Sequence, residues 1–178
     1  MPSAHLAPVS AASARWAGGF WGGIHARTLE TTIPQQWGSL ADPEVSQGLL
    51  NFLIATGEKE GVHLGPPFMD GDLYKWMEAA IDSLETTPDP ELAERIEYLA
   101  GLIAKVQRED GYVHTPTAIS QINGEEVTAL ADRFNFETYN LGHLITAGVR
   151  HWQVTGSETL LDAAKKAASF LETLATQK

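Results

Sequence analysis

Two stretches of this sequence superpose on each other without a gap, and that repeat constrains the fold more than any other feature. Asp72 falls on Asn140, 68 positions later, and the apolar residues of the two stretches keep the same phase. The identical pairs are Leu73/Leu141, Ala79/Ala147, Thr87/Thr155, Leu92/Leu160 and Ala100/Ala168. Few positions are identical, so the shared place of the turn and the shared apolar phase are the better evidence for a repeat.

Each stretch predicts two helices joined by a short link. Apolar residues recur at helical spacing on both sides of each link. The predicted buried stripes are Leu73, Trp76, Met77, Ala80 and Leu84; Leu92, Ile96, Leu99, Ile103 and Val106; Leu141, Leu144, Ile145, Gly148 and Trp152; and Leu160, Ala164, Ala167, Leu171 and Leu174. Short links make neighbouring helices antiparallel. Repeated hairpins of this kind predict an all-α fold, either an open solenoid or an α/α toroid.

Start and stop signals place the helix ends. Asp42-Pro43-Glu44 predicts the start of an earlier helix, which Gly57 ends, and Asp89-Pro90-Glu91 repeats the start signal. Gly156 predicts another stop, and Ser157 predicts the cap of the last helix. Helices are predicted over 72–85 and 134–152. The long connection over 107–133 is predicted to hold short extended pieces at 113–119 and 126–129.

The composition excludes several classes of protein. The net charge of −11 argues against a nucleic-acid partner, because phosphate backbones need clustered Lys and Arg. The chain has no cysteine, so it contains no disulfide, thiolate nucleophile or cysteine-bound zinc. Residues 1–23 lack the pattern of a secretory signal, and no stretch approaches the ~18 apolar residues of a membrane span. We therefore expect a soluble, cytoplasmic protein.

The start of the predicted helix from Phe134 to Trp152 is unusually polar. It carries Asn135, Glu137, Tyr139, Asn140 and His143 in front of an apolar stripe. One interpretation is structural: Asn135 and Glu137 cap the helix and His143 is a hydrogen-bonded core residue. The other is that these side chains belong to a binding site.

Several segments resemble one enzyme family. FETYNLGHLITAGVRHWQVTG (136–156), PPFMDGDLYKWMEAAIDSL (66–84) and QREDGYVHT (107–115) are similar, in this order, to motifs of glycoside hydrolase family 127, the bacterial β-L-arabinofuranosidases and their relatives. FWGGIHARTLETTIPQQW (20–37) looks like the family's opening segment. The resemblance favours the toroid: residues 1–40 would be an N-terminal arm and wrapping segment, and residues 41–178 part of an (α/α)6 catalytic domain.

The resemblance also implies which chemistry lies elsewhere. Candidate carboxylates are Asp70, Asp72, Glu78, Asp110 and Glu137, but spacing cannot show that any two are a catalytic pair. The family's nucleophile is a cysteine on a cysteine/glutamate zinc site, and its acid/base is a glutamate, all further along the chain. We therefore assign no catalytic residue and no metal ligand here. The chain is predicted to be the N-terminal part of the domain, inactive alone, with zinc bound outside it.

The remaining candidates are substrate-binding residues, namely His143, Glu137, Tyr139, Asp72, Tyr112 and His114. The resemblance implies that His143 lines the sugar site; a structural histidine bonded to a carbonyl is the equal alternative. Asp72 is more simply an N-cap, and Tyr112 and His114 follow a turn signature at Asp110-Gly111.

The predicted function is thus a share of the sugar-pocket wall of a glycoside hydrolase acting on arabinofuranosides or related plant-derived sugars. The predicted partners are a carbohydrate substrate and either the missing C-terminal part of the domain or further copies of the chain. The alternative is a free-standing helical-hairpin module that binds a protein or glycan without turnover. His143 and His151 point in different directions around their helix and make a poor metal pair.

Overall fold

A computed structural model describes residues 9–16 and 18–176, and every regular element in these ranges is helical. The α-helices are α1 (Gly19–Arg27), α2 (Ile33–Ala41), α3 (Gly48–Ala55), α4 (Met69–Thr86), α5 (Pro90–Val106), α6 (Thr115–Ile122), α7 (Glu137–Thr155) and α8 (Thr159–Thr176). A π-helical turn (Thr28–Thr32) joins α1 to α2, and 3-10 turns occupy Ala11–Ser13 and Arg133–Asn135. The all-α prediction is confirmed.

The two predicted hairpins form the centre of the molecule. Helices α4 and α5 form one hairpin, and α7 and α8 form the other. Helix α4 lies beside α7, and α5 beside α8. Gly71 contacts Asn140 and Asp82 contacts Arg150, so α4 and α7 run parallel. One layer of parallel helices backed by a second is the arrangement of a sector of an α/α toroid.

The core lies between these two layers, and the predicted stripes supply most of it. Fully buried members include Leu73, Met77, Ile96, Leu99 and Leu141. The Asp89 carboxylate accepts a hydrogen bond from the Leu92 amide at 3.1 Å, and Gly156 ends α7 with φ +77°. Both boundary predictions are confirmed, because caps of this kind are local features of the chain.

Helix α7 departs from its prediction at both ends. It begins at Glu137 instead of Phe134, since Phe136 adopts the left-handed conformation (φ 56°, ψ 21°) and breaks the helical path. Near the other end, Trp152 is 47% exposed while His151 is buried. The prediction that Trp152 extends the buried stripe was therefore wrong.

Two other helix starts were also misplaced. Asp42 does not begin a helix: its carboxylate accepts from the Glu44 amide at 2.9 Å in a turn, and α3 begins at Gly48. Aspartate side chains compete with the helix by forming such turns. Helix α8 begins at Thr159, and the Ser157 hydroxyl contacts the Thr159 hydroxyl instead of capping an amide.

The connection over 107–133 contains a helix where extended pieces were predicted. His114 is extended, but α6 occupies Thr115–Ile122 with Pro116 in its first turn, where a missing N–H costs no hydrogen bond. Residues 126–128 have no regular structure. The strand prediction over 113–119 is wrong beyond His114.

The N-terminal segment packs on α4 through α2. The Trp76 indole donates to the Ile33 carbonyl at 3.1 Å, and the Trp37 and Trp76 rings lie 4.9 Å apart. Residues 1–8 and 17 of the predicted arm lie outside the described residues, and the division at residue 40 stays a prediction. Among the described helices, none is long and apolar enough to cross a membrane.

Candidate functional site

A row of polar side chains lies on the face of α4 and α7 that points away from α5 and α8. The Lys75 ammonium lies 2.6 Å from the Asp72 carboxylate and donates to the Tyr139 hydroxyl at 3.1 Å. The hydrogen bond to Asp72 raises the pKa of Lys75. Because residues three or four apart share one helix face, two parallel helices can hold such a row across their junction.

His143 continues this row one turn further along α7. Its Nδ1 lies 3.1 Å from the Glu78 carboxylate of α4, and its side chain is 28% exposed. A carboxylate accepts, so Nδ1 donates, and Nε2 has no hydrogen-bond partner among the described residues. The ring is therefore oriented by a carboxylate instead of a backbone carbonyl, with one nitrogen open toward solvent.

A groove of about 520 Å³ borders this row where α2 meets α4. Gln36 and Ser39 of α2 line one side, and Asp72 and Lys75 line the other. Trp76 lies at its base but is 3% exposed, which confirms its prediction as a core residue. The groove beside the row is therefore large enough to hold a small molecule.

A second polar cluster lies beneath the row and is buried. The Tyr112 hydroxyl donates to the Glu137 carboxylate at 2.6 Å, and the Leu130 amide donates to the same oxygen at 2.7 Å. Glu137 is 3% and Tyr112 1% exposed. Burial, followed by the hydrogen bond to Glu137, raises the pKa of Tyr112 far above its ordinary range. Glu137 thus ties the preceding loop to the first turn of α7.

His114 and Asp70 extend the buried cluster toward α4. His114 contacts the Thr117 hydroxyl at 3.1 Å through Nδ1 and the Pro67 carbonyl at 3.2 Å through Nε2. Because a carbonyl only accepts, Nε2 donates. Asp70 accepts from both the amide and the hydroxyl of Thr115, at 2.8 and 2.6 Å. Burial raises the pKa of Asp70, while His114 and Thr115 oppose that shift.

Asn140 joins the beginnings of the two central helices. Its side chain accepts from the Gly71 amide at 3.1 Å and donates to the Pro67 carbonyl at 2.9 Å. Its own amide donates to the Phe136 carbonyl at 2.9 Å. One fully buried residue therefore fixes the chain on either side of Phe68 and at Phe136.

The structure divides the predicted site residues into two groups. Asp72, Tyr139 and His143 lie on the partly exposed row, and Asp72 sits inside α4 because the N-cap is Phe68. Glu137, Tyr112 and His114 lie in the buried cluster. Sequence reasoning gave no role to Lys75 and only a general one to Asn140. Lys75 lies three residues after Asp72 and Asn140 three residues before His143, and this helical spacing was the available signal.

The family resemblance implies a zinc site formed outside this chain, and the described residues do not themselves fit one. They contain no group of three or more His, Asp or Glu side chains that could hold a metal ion. The chain also has no cysteine to supply a thiolate.

Comparison with known proteins places the chain in one family. The sequence model described as beta-L-arabinofuranosidase, GH127 catalytic domain, matches residues 13–178. The chain belongs to glycoside hydrolase family 127. The resemblance read from the three central motifs is thereby confirmed, and the parallel pair α4 and α7 belongs to this family's catalytic domain.

Three relatives from this family are considerably longer than the chain. The chain is 36% identical over 175 residues to a non-reducing end β-L-arabinofuranosidase of Bifidobacterium longum subsp. longum, matching 86% of this chain and 26% of the relative. A crystal structure of a family 127 β-L-arabinofuranosidase from Geobacillus stearothermophilus T6 superposes with a TM-score of 0.79 at 34% identity, covering 87% of this chain and 25% of that one. A solved family 127 β-arabinofuranosidase gives a TM-score of 0.72 at 33% identity, with 84% and 24% covered. The chain spans about a quarter of the length of these relatives.

Proposed function

We propose that this chain supplies part of the sugar-binding wall of a glycoside hydrolase acting on arabinofuranosides. The observation that supports this most directly is the partly exposed row of Asp72, Tyr139 and His143 across α4 and α7. Relatives of the chain are named as β-L-arabinofuranosidases. Membership of this family disfavours the alternative function of a free-standing binding module. The cytoplasmic location stays a prediction.

The row offers sugar hydroxyls both donors and acceptors. With Nδ1 donating to Glu78, Nε2 is the His143 ring nitrogen left to hydrogen-bond a sugar hydroxyl. Tyr139 accepts from Lys75 and keeps its own proton for donation. Asp72 accepts only, and its bond to Lys75 limits its freedom. A sugar hydroxyl both donates and accepts, so this mixture matches its chemistry.

The buried candidates act by positioning the row. Glu137 and Tyr112 fix the first turn of α7, and His114 holds the Pro67 carbonyl just before α4. Preorganised supporting contacts of this kind keep binding groups in place without touching the ligand. Neither group is assigned as the catalytic pair, whose residues the family resemblance places outside this chain.

The proposal can be tested by binding. The chain is titrated with methyl β-L-arabinofuranoside while its amide chemical shifts are recorded by NMR. We expect the amide signals of residues at the α4–α7 junction to move. His143→Ala should weaken the affinity at least tenfold, about 1.4 kcal/mol. The matched control is His25→Ala, because His25 contacts Thr86 at the other end of α4 and should leave binding unchanged.

Thermal unfolding of the same variants separates binding from structure. We expect His143→Ala to shift the melting temperature only slightly, because its side chain is partly exposed. Unchanged affinity together with a collapse in stability would establish His143 as a structural residue and refute the proposal.

A further inference from the structure

The carboxylate of Glu78 is the hydrogen-bond partner of His143. Its Oε1 lies 3.1 Å from His143 Nδ1, on the neighbouring helix and 65 positions away in the chain. The Glu78 side chain is 24% exposed and that of His143 is 28% exposed. Because both are partly shielded from water, the hydrogen bond between them is stronger than one in bulk solvent. Glu78 is one of the candidate carboxylates in the sequence, and this contact indicates what it does.

Helices α4 and α7 hold this pair of side chains in register from both sides. Toward the beginnings of the helices, the Gly71 amide donates to the Asn140 side chain at 3.1 Å. Toward their other ends, the Arg150 guanidinium donates to the Asp82 carboxylate at 2.8 Å. The pair lies between these two contacts, so the carboxylate and the imidazole are brought together by the helices that carry them. Groups built on rigid elements in this way keep a precise geometry.

A ring contact restricts His143 in addition to the hydrogen bond. The Tyr139 ring meets the imidazole edge to face, with centroids 4.7 Å apart and an interplanar angle of 78°. Tyr139 is itself held by Lys75, which donates to its hydroxyl at 3.1 Å. Packing of this kind limits rotation of the imidazole, but it does not decide which ring nitrogen carries a proton. The Glu78 carboxylate does decide this, because it can only accept a hydrogen bond.

The place of the imidazole proton determines what His143 can offer a ligand. A neutral imidazole in water favours the tautomer with its proton on Nε2, whereas a carboxylate beside Nδ1 favours the tautomer with its proton on Nδ1. With Glu78 at Nδ1, a neutral ring therefore presents an unprotonated Nε2. A protonated ring makes the same contact with Glu78 and presents Nε2–H. In both states Nδ1 is occupied and Nε2 is the nitrogen left for a ligand.

We propose that Glu78 is a positioning residue for sugar binding, which keeps a proton on Nδ1 of His143 and thereby leaves Nε2 for a sugar hydroxyl. This inference rests on the proposed function and adds to it a residue that acts through His143, with no contact between the carboxylate and the sugar. The role differs from that of a catalytic carboxylate, which exchanges a proton with the substrate or attacks it. Glu78 instead fixes the tautomer and the orientation of the ring that binds.

The first measurement is the nitrogen NMR spectrum of the His143 ring in the whole chain, at a pH at which the spectrum itself shows that the ring is neutral. We expect the proton on Nδ1 in the parent and on Nε2 in Glu78→Ala. Alanine is the best helix former, so α4 should persist in this variant, and dispersed amide signals verify that it is folded. The matched control is Glu97→Ala, because Glu97 lies 3.5 Å from Nε2 of His151, another histidine of α7. It should leave the proton of His143 on Nδ1.

The second measurement is the affinity of the same proteins for methyl β-L-arabinofuranoside. Glu78→Ala should weaken binding by about fivefold or more, and Glu97→Ala should leave it unchanged. The double variant with His143→Ala then separates an indirect effect from a direct one. A residue that acts only through its neighbour has no effect once the neighbour is gone. Glu78→Ala should therefore change the affinity by less than about twofold in the His143→Ala background.

The possible failures are distinguishable. A proton on Nε2 in the parent, or one that stays on Nδ1 in Glu78→Ala, overturns the positioning role, while binding that depends on His143 keeps the proposed function. A loss of affinity from Glu78→Ala that persists in the His143→Ala background also overturns it, because the carboxylate would then contact the sugar directly. If the tautomer changes as expected but neither Glu78→Ala nor His143→Ala alters the affinity, the proposed function fails together with the positioning role.

Discussion

The buried carboxylate of Glu137 shows how a residue with the composition of an active site can serve structure. It accepts from the Tyr112 hydroxyl and the Leu130 amide and is nearly inaccessible to solvent. Leu130 itself has φ +61°, so Glu137 holds a strained loop against α7. A buried acceptor left without its donor is expensive, which makes this network testable by single-atom changes.

Tyr112→Phe should lower the free energy of unfolding by about 1–3 kcal/mol. The substitution removes the Tyr112 hydroxyl. Glu137 then loses a hydrogen bond of 2.6 Å and Thr117 loses one of 2.9 Å. Tyr98→Phe makes the same change on a ring that is 50% exposed and should stay within about 0.5 kcal/mol of the parent. Urea denaturation measures both, and equal effects would show that the network contributes no stability.

His63 should make the protein less stable in mild acid. Burial, with a smaller effect of His114, lowers the pKa of His63 to about 4. Its folded pKa lies below the unfolded value of about 6.5, so the unfolded chain binds more protons between these values. His63 therefore does not reduce the free energy of unfolding above pH 6.5, but it reduces it progressively as the pH falls toward 4. Partial solvent exposure limits the loss to about 1 kcal/mol.

The measurement is the difference in unfolding free energy between the parent and His63→Gln at pH 7 and at pH 4.5. Asp70, whose burial raises its pKa, acts in the opposite direction, but it is present in both proteins and cancels in the difference. His25→Gln is the control. A difference that is the same at both pH values would contradict the assignment.

At the scale of elements, the second hairpin is closed by a close approach of its two helices, α7 and α8. A Cβ added at Gly148 would lie 2.5 Å from the Ala164 Cβ and 2.6 Å from the Leu160 carbonyl oxygen. The backbone atom cannot move aside without shifting the helix. Gly148 is therefore present because the helices pack closely, although glycine weakens a helix.

Gly148→Ala should destabilise the protein by about 1–3 kcal/mol through overpacking. Gly142→Ala in the same helix is the matched control, because an added Cβ there meets no atom within 4 Å. It should stabilise the protein by about 0.5–1 kcal/mol, the ordinary gain from replacing a helical glycine. Thermal melts of the two variants should move in opposite directions, and a shared direction would refute the packing argument.

At the scale of the whole molecule, the two hairpins form one sector of the family's toroid, and the chain spans about a quarter of the length of its named relatives. We expect the 178-residue chain to hydrolyse no aryl β-L-arabinofuranoside, even with zinc added. The family resemblance implies a cysteine nucleophile and thiolate metal ligands, and the chain has no cysteine.

The assay measures turnover by the purified chain beside a buffer blank. Catalysis that co-purifies with the chain and disappears in His143→Ala would contradict this expectation. It would then require a mechanism built on the chain's own carboxylates, with Asp72, Asp110 and Glu137 as the first candidates.

The sequence by itself determined the hairpins, their phase and several of their ends. Leu73, Leu99 and Leu141 are buried where helical spacing placed them. Side chains return to the same face of a helix every 3.6 residues, whatever the helix packs against. Asp89 and Gly156 mark true boundaries for a similar reason: a cap or a left-handed glycine acts within one turn of the chain.

Only the tertiary structure decided which polar residues are exposed. Asp70 and Thr115 lie 45 positions apart, and Asn140 and Gly71 lie 69 apart, yet each pair forms a buried hydrogen bond. A buried polar group is stable only when a partner meets it, and no local pattern records a partner that distant. Glu137 and His143 therefore looked alike in the sequence, but packing of α7 against its neighbours buried the first and left the second at the surface.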